Sequence, residues 1–497
     1  MSDLQRYVSV RPNSCQKRLE TMGFYLFVHF GVNTFTGREW GTGKESPICF
    51  NPTELDTDQW CAVASEIGAK GIILTAKHHD GFCLWQTETT PHSVRNSPFR
   101  NGKGDVLKEL EQSCKKFGLA LGVYLSPWDR NAPSYGTEAY NDFYCRQLEE
   151  LLTRYGDLFT VWLDGACGAH MDGKPVQTYD FARYFEMIRT LQPECAISNC
   201  GPDVRWVGNE AGLCRASEWN VVPRFSFDLQ KVAEHSQQDE SGLKVDFDVV
   251  SEDLGSRAVL SQFDDFIWYP AEVDVSIRKG WFYHPLQRPK RVDHLLNIYY
   301  GAVGGNCMLL LNIPPDKRGK FAERDVKRLK QFANRLQSAF ANLVTPHRID
   351  APTGKPGMSA EDFADEKTYS PAQVAPSYRI AFGWDGPKTV DKVVITENID
   401  YSQRVEEFRI STVTSDGSET LLYRGTTIGH KKIALFRPTR CDNLIFTITA
   451  CRLEPYIESF RIYEADFRQP RKPLFAELKR RLHRLSYRMF VKRTQKN

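Results

Sequence analysis

Residues 75–82 read TAKHHDGF, with His78 and His79 adjacent at the exit of an apolar run. A lone histidine beside a strand is usually a hydrogen-bonded core residue. Two in succession, with His29 on a neighbouring run, form a cluster of neutral imidazoles that donate and accept several hydrogen bonds at once. Such a cluster suits a ligand with several hydroxyl groups. It would also suit a metal, but the helical H-x-x-x-H and H-E-x-x-H spacings are absent, so no metal or cofactor is expected. Asp164 ends the run VWLD and precedes Gly165. A carboxylate there either caps the next turn or, if buried, needs a partner or a task. Glu210 stands in the loop GPDVRWVGNEAG, with Glu218, Glu194 and Glu252 as competing acids. Two carboxylates over a sugar are the minimum equipment of a glycosidase, although spacing alone does not choose the sugar.

One architecture would bring these residues together. Short apolar runs at 24–30, 71–76, 119–126, 158–164, 195–199, 213–219, 263–269 and 306–312 read as strands. Helical spacing over 57–69, 104–118, 138–155 and 178–191 alternates with them, and strands alternating with helices imply a parallel sheet. Eight units over residues 1–345, closed by a helix at 320–340, predict an α/β fold with a (β/α)8-like, TIM-type catalytic barrel. An open doubly wound sheet is the second choice, disfavoured because no G-x-G-x-x-G follows the first strand. In a barrel, chemistry sits at the C-terminal ends of the strands. His29, Glu39 and Trp40 belong to the first such end, and His78, His79, Asp80 and, further on, Trp85 to the second. Tyr124, Trp128 and Asp129 follow the third, Asp164 the fourth, and Asn199 and then Glu210 the fifth.

Beyond a Pro- and Ala-rich crossing, short strands spaced 8–15 residues apart predict an antiparallel β-sandwich, so the second domain is placed at 346–466. Residues 221–262 lack periodicity and read as a long insertion over one barrel face. The tail, 467–497, carries Leu474, Leu478, Leu482, Leu485 and Met489 on one helical stripe against a Lys/Arg face. From Asp466 onward there are 11 Lys or Arg against 2 Asp or Glu, a net of +9, which leaves −6 for the rest of a chain whose total is +3. That helix could lie weakly on an anionic membrane surface, dock on its own domain, or stay solvated. The small net charge gives no reason to expect nucleic acid as a partner. No apolar leader or membrane-length run is evident, and the 13 cysteines are scattered without a C-x-x-C pair, so the expected setting is cytoplasmic with reduced thiols.

The blocks HFGVNTF, REW, AKHHDGFCLWQT, DVLKEL, GLALGVYLSPWD, VWLDG and SIRKGWFYH resemble, in order, those of the α-L-fucosidases of glycoside hydrolase family 29. ENIDYSQRVEEFRI and GTTIGHKKI resemble that family's C-terminal domain, and RWVGNEAG resembles the subfamily acting on α-1,3/1,4 linkages of Lewis-type glycans. The resemblance implies a retaining exo-α-L-fucosidase acting on fucosylated oligosaccharides or glycoconjugates, with Asp164 as nucleophile and Glu210 as acid/base. It implies that His29, Glu39, Trp40, His78, His79 and Tyr124 hold the sugar hydroxyls. Trp281, with Trp40 and Trp85, would form the aromatic side facing the C5 methyl group. Phe30 is a departure, since many members carry Trp there. The alternatives are a catalytically silent fucose-binding, lectin-like protein, a glycosidase for a related sugar, and a fucosidase with broad or α-1,2 preference.

Overall fold

The structure, a computed structural model, describes residues 2–166, 176–224, 227, 252–363, 365 and 367–466. The tail and most of the 221–262 insertion therefore lie outside the described residues. Eight parallel strands form the first sheet: β1 (Phe24–Val28), β2 (Gly71–Lys77), β3 (Ala120–Leu125), β4 (Leu158–Leu163), β5 (Ala196–Asn199), β6 (Arg205–Trp206), β7 (Ala271–Ser276) and β8 (Cys307–Asn312). Their order is β5-β4-β3-β2-β1-β8-β7-β6, and a single parallel bridge, Ser198 to Val204, closes the ring between β5 and β6. Every residue of β1, β2 and β4 is buried, as expected of strands covered on both faces. The flanking helices begin on the side chains that cap them. Asp56 caps Thr57–Glu66, Asp105 caps Val106–Phe117 and Asp180 caps Phe181–Leu191.

Two of the expected barrel strands are elsewhere. Residues 213–219 form no strand, because Arg215 and Glu218 there are committed to a buried ion cluster. Phe266–Trp268 is a strand, but it pairs antiparallel with Val221–Pro223 in a separate ribbon. The actual sixth strand is only two residues long, and the actual seventh is AEVDVS. Its Glu272 and Asp274 are buried side chains, and this breaks the apolar run by which a strand is recognised.

The C-terminal domain is a seven-stranded antiparallel sheet: β9 (Leu343–Val344), β10 (Arg348–Asp350), β11 (Tyr378–Glu397), β12 (Val405–Val413), β13 (Glu419–Gly425), β14 (Lys432–Cys451) and β15 (Ile457–Glu464). β9 already pairs with β15, so the sheet begins a few residues before 346. β11 and β14 are each 20 residues long, and their register shifts between Gly383 and Lys388. Phe382, before the shift, stacks on Phe460 of β15 at 4.4 Å, although β15 pairs with the part of β11 beyond it. The sheet thus folds over its own core. The domains share backbone: Asn306 N donates to Lys431 O (3.0 Å) and Ile433 N to Gly304 O (3.0 Å). Gly429, at φ +63°, packs so closely on the Asn306 side chain that a Cβ would collide with it.

Candidate active site

The floor of the barrel mouth is aromatic. Tyr124 stacks on Trp162 at 5.4 Å, and Phe27 lies 5.3 Å from the same indole. Below them Glu272 accepts hydrogen bonds from Tyr25 Oη and from Trp162 Nε1 (2.7 Å), while burial pushes its carboxyl up to about 7. Above the floor, Asp164 follows β4 directly. Its Oδ2 accepts from Tyr124 Oη at 2.8 Å and its Oδ1 from Ala166 N at 2.9 Å. Asn199, in the left-handed region at φ 67°, donates from Nδ2 to Leu163 O (2.9 Å) and fixes the backbone just before the carboxylate.

The three histidines surround Asp164 and Tyr124. His78 lies 5.7 Å from Tyr124, nearly parallel to it, 4.1 Å from His79 and 5.5 Å from His29. The tautomers of His29 and His79 follow from their partners. Asn312 donates from Nδ2 to Trp281 O (2.8 Å), so its Oδ1 faces His29 Nδ1 at 2.9 Å, and that nitrogen must carry the proton. Ser126 Oγ donates to Trp128 O (2.7 Å), so it accepts from His79 Nδ1 (2.8 Å). In both rings Nε2 is left as an acceptor, and that of His79 lies 3.8 Å from Asp164 Oδ2. Burial holds His29 down to about 3, His79 to about 4 and His78 well below the ordinary histidine range. All three are neutral at physiological pH, so they offer hydrogen bonds rather than charge.

Next to the histidines, Glu39 accepts from the main-chain nitrogens of Trp281 (2.8 Å) and Phe282 (3.4 Å). A Cβ on Gly280 would meet Glu39 Oε1, so any larger residue there would displace the carboxylate from these bonds. Trp281 is thereby aimed across the mouth, 5.0 Å from His29, and its Nε1 donates to Glu210 Oε2 at 3.4 Å. Glu210 reaches solvent at the rim. The dense surroundings of the mouth, then the negative charge of Asp164, then that of Glu39 nevertheless raise its carboxyl above the ordinary glutamate value. A carboxyl raised above its ordinary value beside one that accepts a tyrosine hydroxyl is the pairing acid-assisted displacement needs. Trp40 is 45% exposed at the rim, 6.1 Å from Trp128, which packs 4.8 Å from His79. The loop carrying Trp128 is fixed from below, where fully buried Lys77 donates to Asp129 Oδ2 (3.0 Å) and Gln147 Oε1 (2.8 Å).

The structure gathers His29, Glu39, Trp40, His78, His79, Tyr124, Asp164, Glu210 and Trp281 around one mouth. It does not bring Trp85 there. That side chain is fully buried and donates from Nε1 to Glu150 Oε2 (2.7 Å) on the helix Ala139–Arg154, so it is core and not a sugar-facing wall. Phe30 is also away from the mouth, packed 5.3 Å from Phe50 and 5.8 Å from Trp60, so its departure from tryptophan leaves the pocket untouched. Among the competing acids, Glu218 is fully buried between Arg205 and Arg215. Burial pushes its carboxyl up, but the two guanidiniums outweigh this and hold it below the ordinary value. It is neither accessible nor protonated, and so is unsuited to acid catalysis. Asn312, Ser126 and Asp274 were not legible as site residues. Asp274 is a further buried carboxyl, bonded by Trp206 Nε1 (2.8 Å), which burial and the charge of Glu210 raise well above the aspartate range. Among the described residues no three His, Cys, Asp or Glu side chains are grouped to hold a metal ion.

Comparison with known proteins agrees with this geometry. The Alpha-L-fucosidase family profile matches residues 13–339. Alpha-L-fucosidase 1 of Arabidopsis thaliana is 37% identical over 468 residues, covering 92% of this chain and 88% of its own. The crystal structure of a glycoside hydrolase 29 family member from a rumen bacterium is 33% identical with a TM-score of 0.76, covering 94% of this chain and 80% of its own. A Ruminococcus gnavus GH29 fucosidase, solved in complex with fucose, superposes with a TM-score of 0.81 at 27% identity, over 93% of this chain and 96% of its own. The barrel, the antiparallel C-terminal sheet, the facing carboxyls and these matches lead to one assignment: the chain is a glycoside hydrolase and belongs to the α-L-fucosidase family of GH29.

Proposed function

We propose that this enzyme removes terminal α-1,3- or α-1,4-linked L-fucose from branched, Lewis-type glycans with retention of configuration. The observation that carries the chemistry is the pair of unlike carboxyls across one mouth. Asp164 accepts Tyr124 Oη and Ala166 N, and Glu210 opposite is raised by burial and by the charge of Asp164. In the first step an Asp164 oxygen attacks the anomeric carbon. The bond to the leaving oxygen breaks, and that oxygen takes the proton of Glu210. In the second step the Glu210 carboxylate takes a proton from water, whose oxygen attacks the same carbon and releases Asp164. The unprotonated Nε2 atoms of His29 and His79 accept hydrogen bonds from sugar hydroxyls. Trp281, packed against His29 and donating to Glu210, forms the wall between the two. The fucose complex of the Ruminococcus gnavus relative supports fucose as the sugar.

Linkage preference rests on the RWVGNEAG loop that carries Glu210 beside the leaving group. A panel of aryl α-L-fucoside, Lewis a and x trisaccharides and 2′-fucosyllactose tests it. The Lewis compounds should show kcat/KM at least roughly tenfold above 2′-fucosyllactose, the scale on which pocket contacts discriminate substrates. Equal rates or a preference for the α-1,2 linkage would remove the linkage claim and leave the fucosidase assignment standing.

The basic tail is proposed to make weak, salt-sensitive contact with anionic surfaces, on the strength of its leucine stripe and net charge of +9. Deleting residues 470–497 should abolish sedimentation with phosphatidylserine vesicles at low salt and leave kcat/KM within about twofold. Loss of folding on deletion would identify the tail as a docked structural helix instead.

A further inference from the structure

We infer that the C-terminal sandwich positions the acid/base loop, with Gln403 as the positioning residue; this rests on the reading of Glu210 as the acid/base. In a regular barrel unit a helix would follow β6 and brace the loop above it. Here β6 is two residues long and leads straight into an excursion, Val207–Glu218, near whose start Glu210 stands at the rim. The carboxyl itself is lightly held. Its one hydrogen bond among the described contacts is the 3.4 Å bond from Trp281 Nε1. The place of Glu210 therefore depends on the frame of the loop.

That frame is closed at a neck. Arg215 Nη1 donates to Val207 O at 3.3 Å and reaches Glu218 Oε1 at 3.3 Å. Arg205, fully buried, pairs with Glu218 and donates to Trp219 O (3.0 Å) and Tyr269 O (2.8 Å). Within the loop, Asn209 Oδ1 accepts from Ala211 N (3.1 Å) and Leu213 N (3.3 Å), which shapes the turn bearing Glu210.

The sandwich grips the neck from outside. Gln403 is fully buried; its Nε2 donates to Glu218 O (3.0 Å) and its Oε1 accepts from Asn220 N (2.8 Å). One amide thus satisfies a main-chain acceptor and a main-chain donor two residues apart. Beside it, Ser217 Oγ donates to Thr426 Oγ1 (2.7 Å). Glu397 fixes Gln403 in turn. Its Oε1 accepts from Arg404 N (2.9 Å) and Val405 N (2.9 Å), and its Oε2 from Gly429 N (2.7 Å). A continuous set of buried hydrogen bonds therefore runs from the sandwich to the neck of the Glu210 loop. Its members occupy fixed places, which is what a supporting shell around a catalytic group requires.

The test uses the full-length chain with Gln403→Met, which keeps the bulk of the side chain and removes both hydrogen bonds, and with Ser217→Ala as a milder second variant that folds if the first does not. Each is assayed on a fucosylated trisaccharide, whose departure needs the proton of Glu210, and on a dinitrophenyl α-L-fucoside, whose departure does not. We expect Gln403→Met to lower kcat/KM on the trisaccharide by about tenfold, a fraction of the full general-acid contribution. The kcat/KM of the dinitrophenyl substrate, which does not include breakdown of the covalent intermediate, and the inhibition constant of fucose should change by less than about twofold. Ser217→Ala should shift the same ratio in the same direction by about threefold. In a Glu210→Ala background the selective effect of Gln403→Met should disappear, because the two act through one group. An equal fall on both substrates, weaker fucose inhibition, or an unchanged ratio in both variants would overturn the proposal. Near-normal trisaccharide activity of Glu210→Ala alone would instead overturn the assignment of the acid/base.

Discussion

Asp164→Gly is expected to lower hydrolysis of an aryl α-L-fucoside by roughly 10⁴–10⁶-fold, the scale that loss of a covalent nucleophile carries in a hydrolase. The protein should still fold, because the Asp164 side chain is 26% exposed and faces the mouth rather than the core. Its removal frees Tyr124 Oη towards the pocket, where water can take the vacated acceptor's place. The space left is on the face from which the displacement begins. A small anion such as azide can enter it and attack the anomeric carbon directly. One inversion then gives a β-fucosyl azide, identifiable by proton coupling at C1. Hydrolysis within about tenfold of the parent enzyme, or formation of the α-azide, would show that another group is the nucleophile.

Asp164 was legible because it ends an apolar strand, and a strand end in a barrel has one destination. The same reasoning located β1–β5 and β8, whose residues are nearly all apolar and buried. It failed where the barrel departs from that pattern. β6 is too short to show any period, and β7 carries Glu272 and Asp274 among its buried side chains. Trp85 was misplaced because a tryptophan shortly after a strand end looks like rim. Nothing local signals that Glu150, 65 residues further on, takes its indole into the core. Glu218 looked like a free acid for the same reason, since its partner Arg205 lies 13 residues earlier on a strand the pattern did not reveal. The residues that set the histidine tautomers are equally remote. Asn312 stands 283 positions from His29, and only the closing of β8 onto β1 brings them together. Residue types at strand ends could be read from the sequence; the hydrogen bonds that fix their protons depend on strand pairing, which it does not display.

Glu210→Ala separates the second carboxyl from the first. On a fucosylated oligosaccharide, whose leaving oxygen needs a proton, kcat/KM should fall by roughly 10²–10⁴-fold. On a dinitrophenyl fucoside the covalent intermediate still forms, so the loss should fall on its breakdown, where Glu210 acts as base towards water. Azide needs no base. It should restore turnover of the activated substrate by attacking from the face opposite Asp164, and a second inversion gives the α-azide. The pH profile gives an independent check. Burial and the charge of Asp164 raise the Glu210 carboxyl, so its proton persists above the ordinary glutamate range and is lost as pH rises through that raised value. In the parent enzyme kcat/KM on an oligosaccharide should therefore fall on the alkaline side as the acid ionises. In Glu210→Ala that alkaline fall should vanish from the residual kcat/KM profile on the same oligosaccharide. A variant that keeps the alkaline limb, or that yields the β-azide, would place the acid elsewhere. Asp274, whose carboxyl is raised by burial and by the charge of Glu210, would then be the group to examine, whereas Glu218, fixed between two arginines, would not.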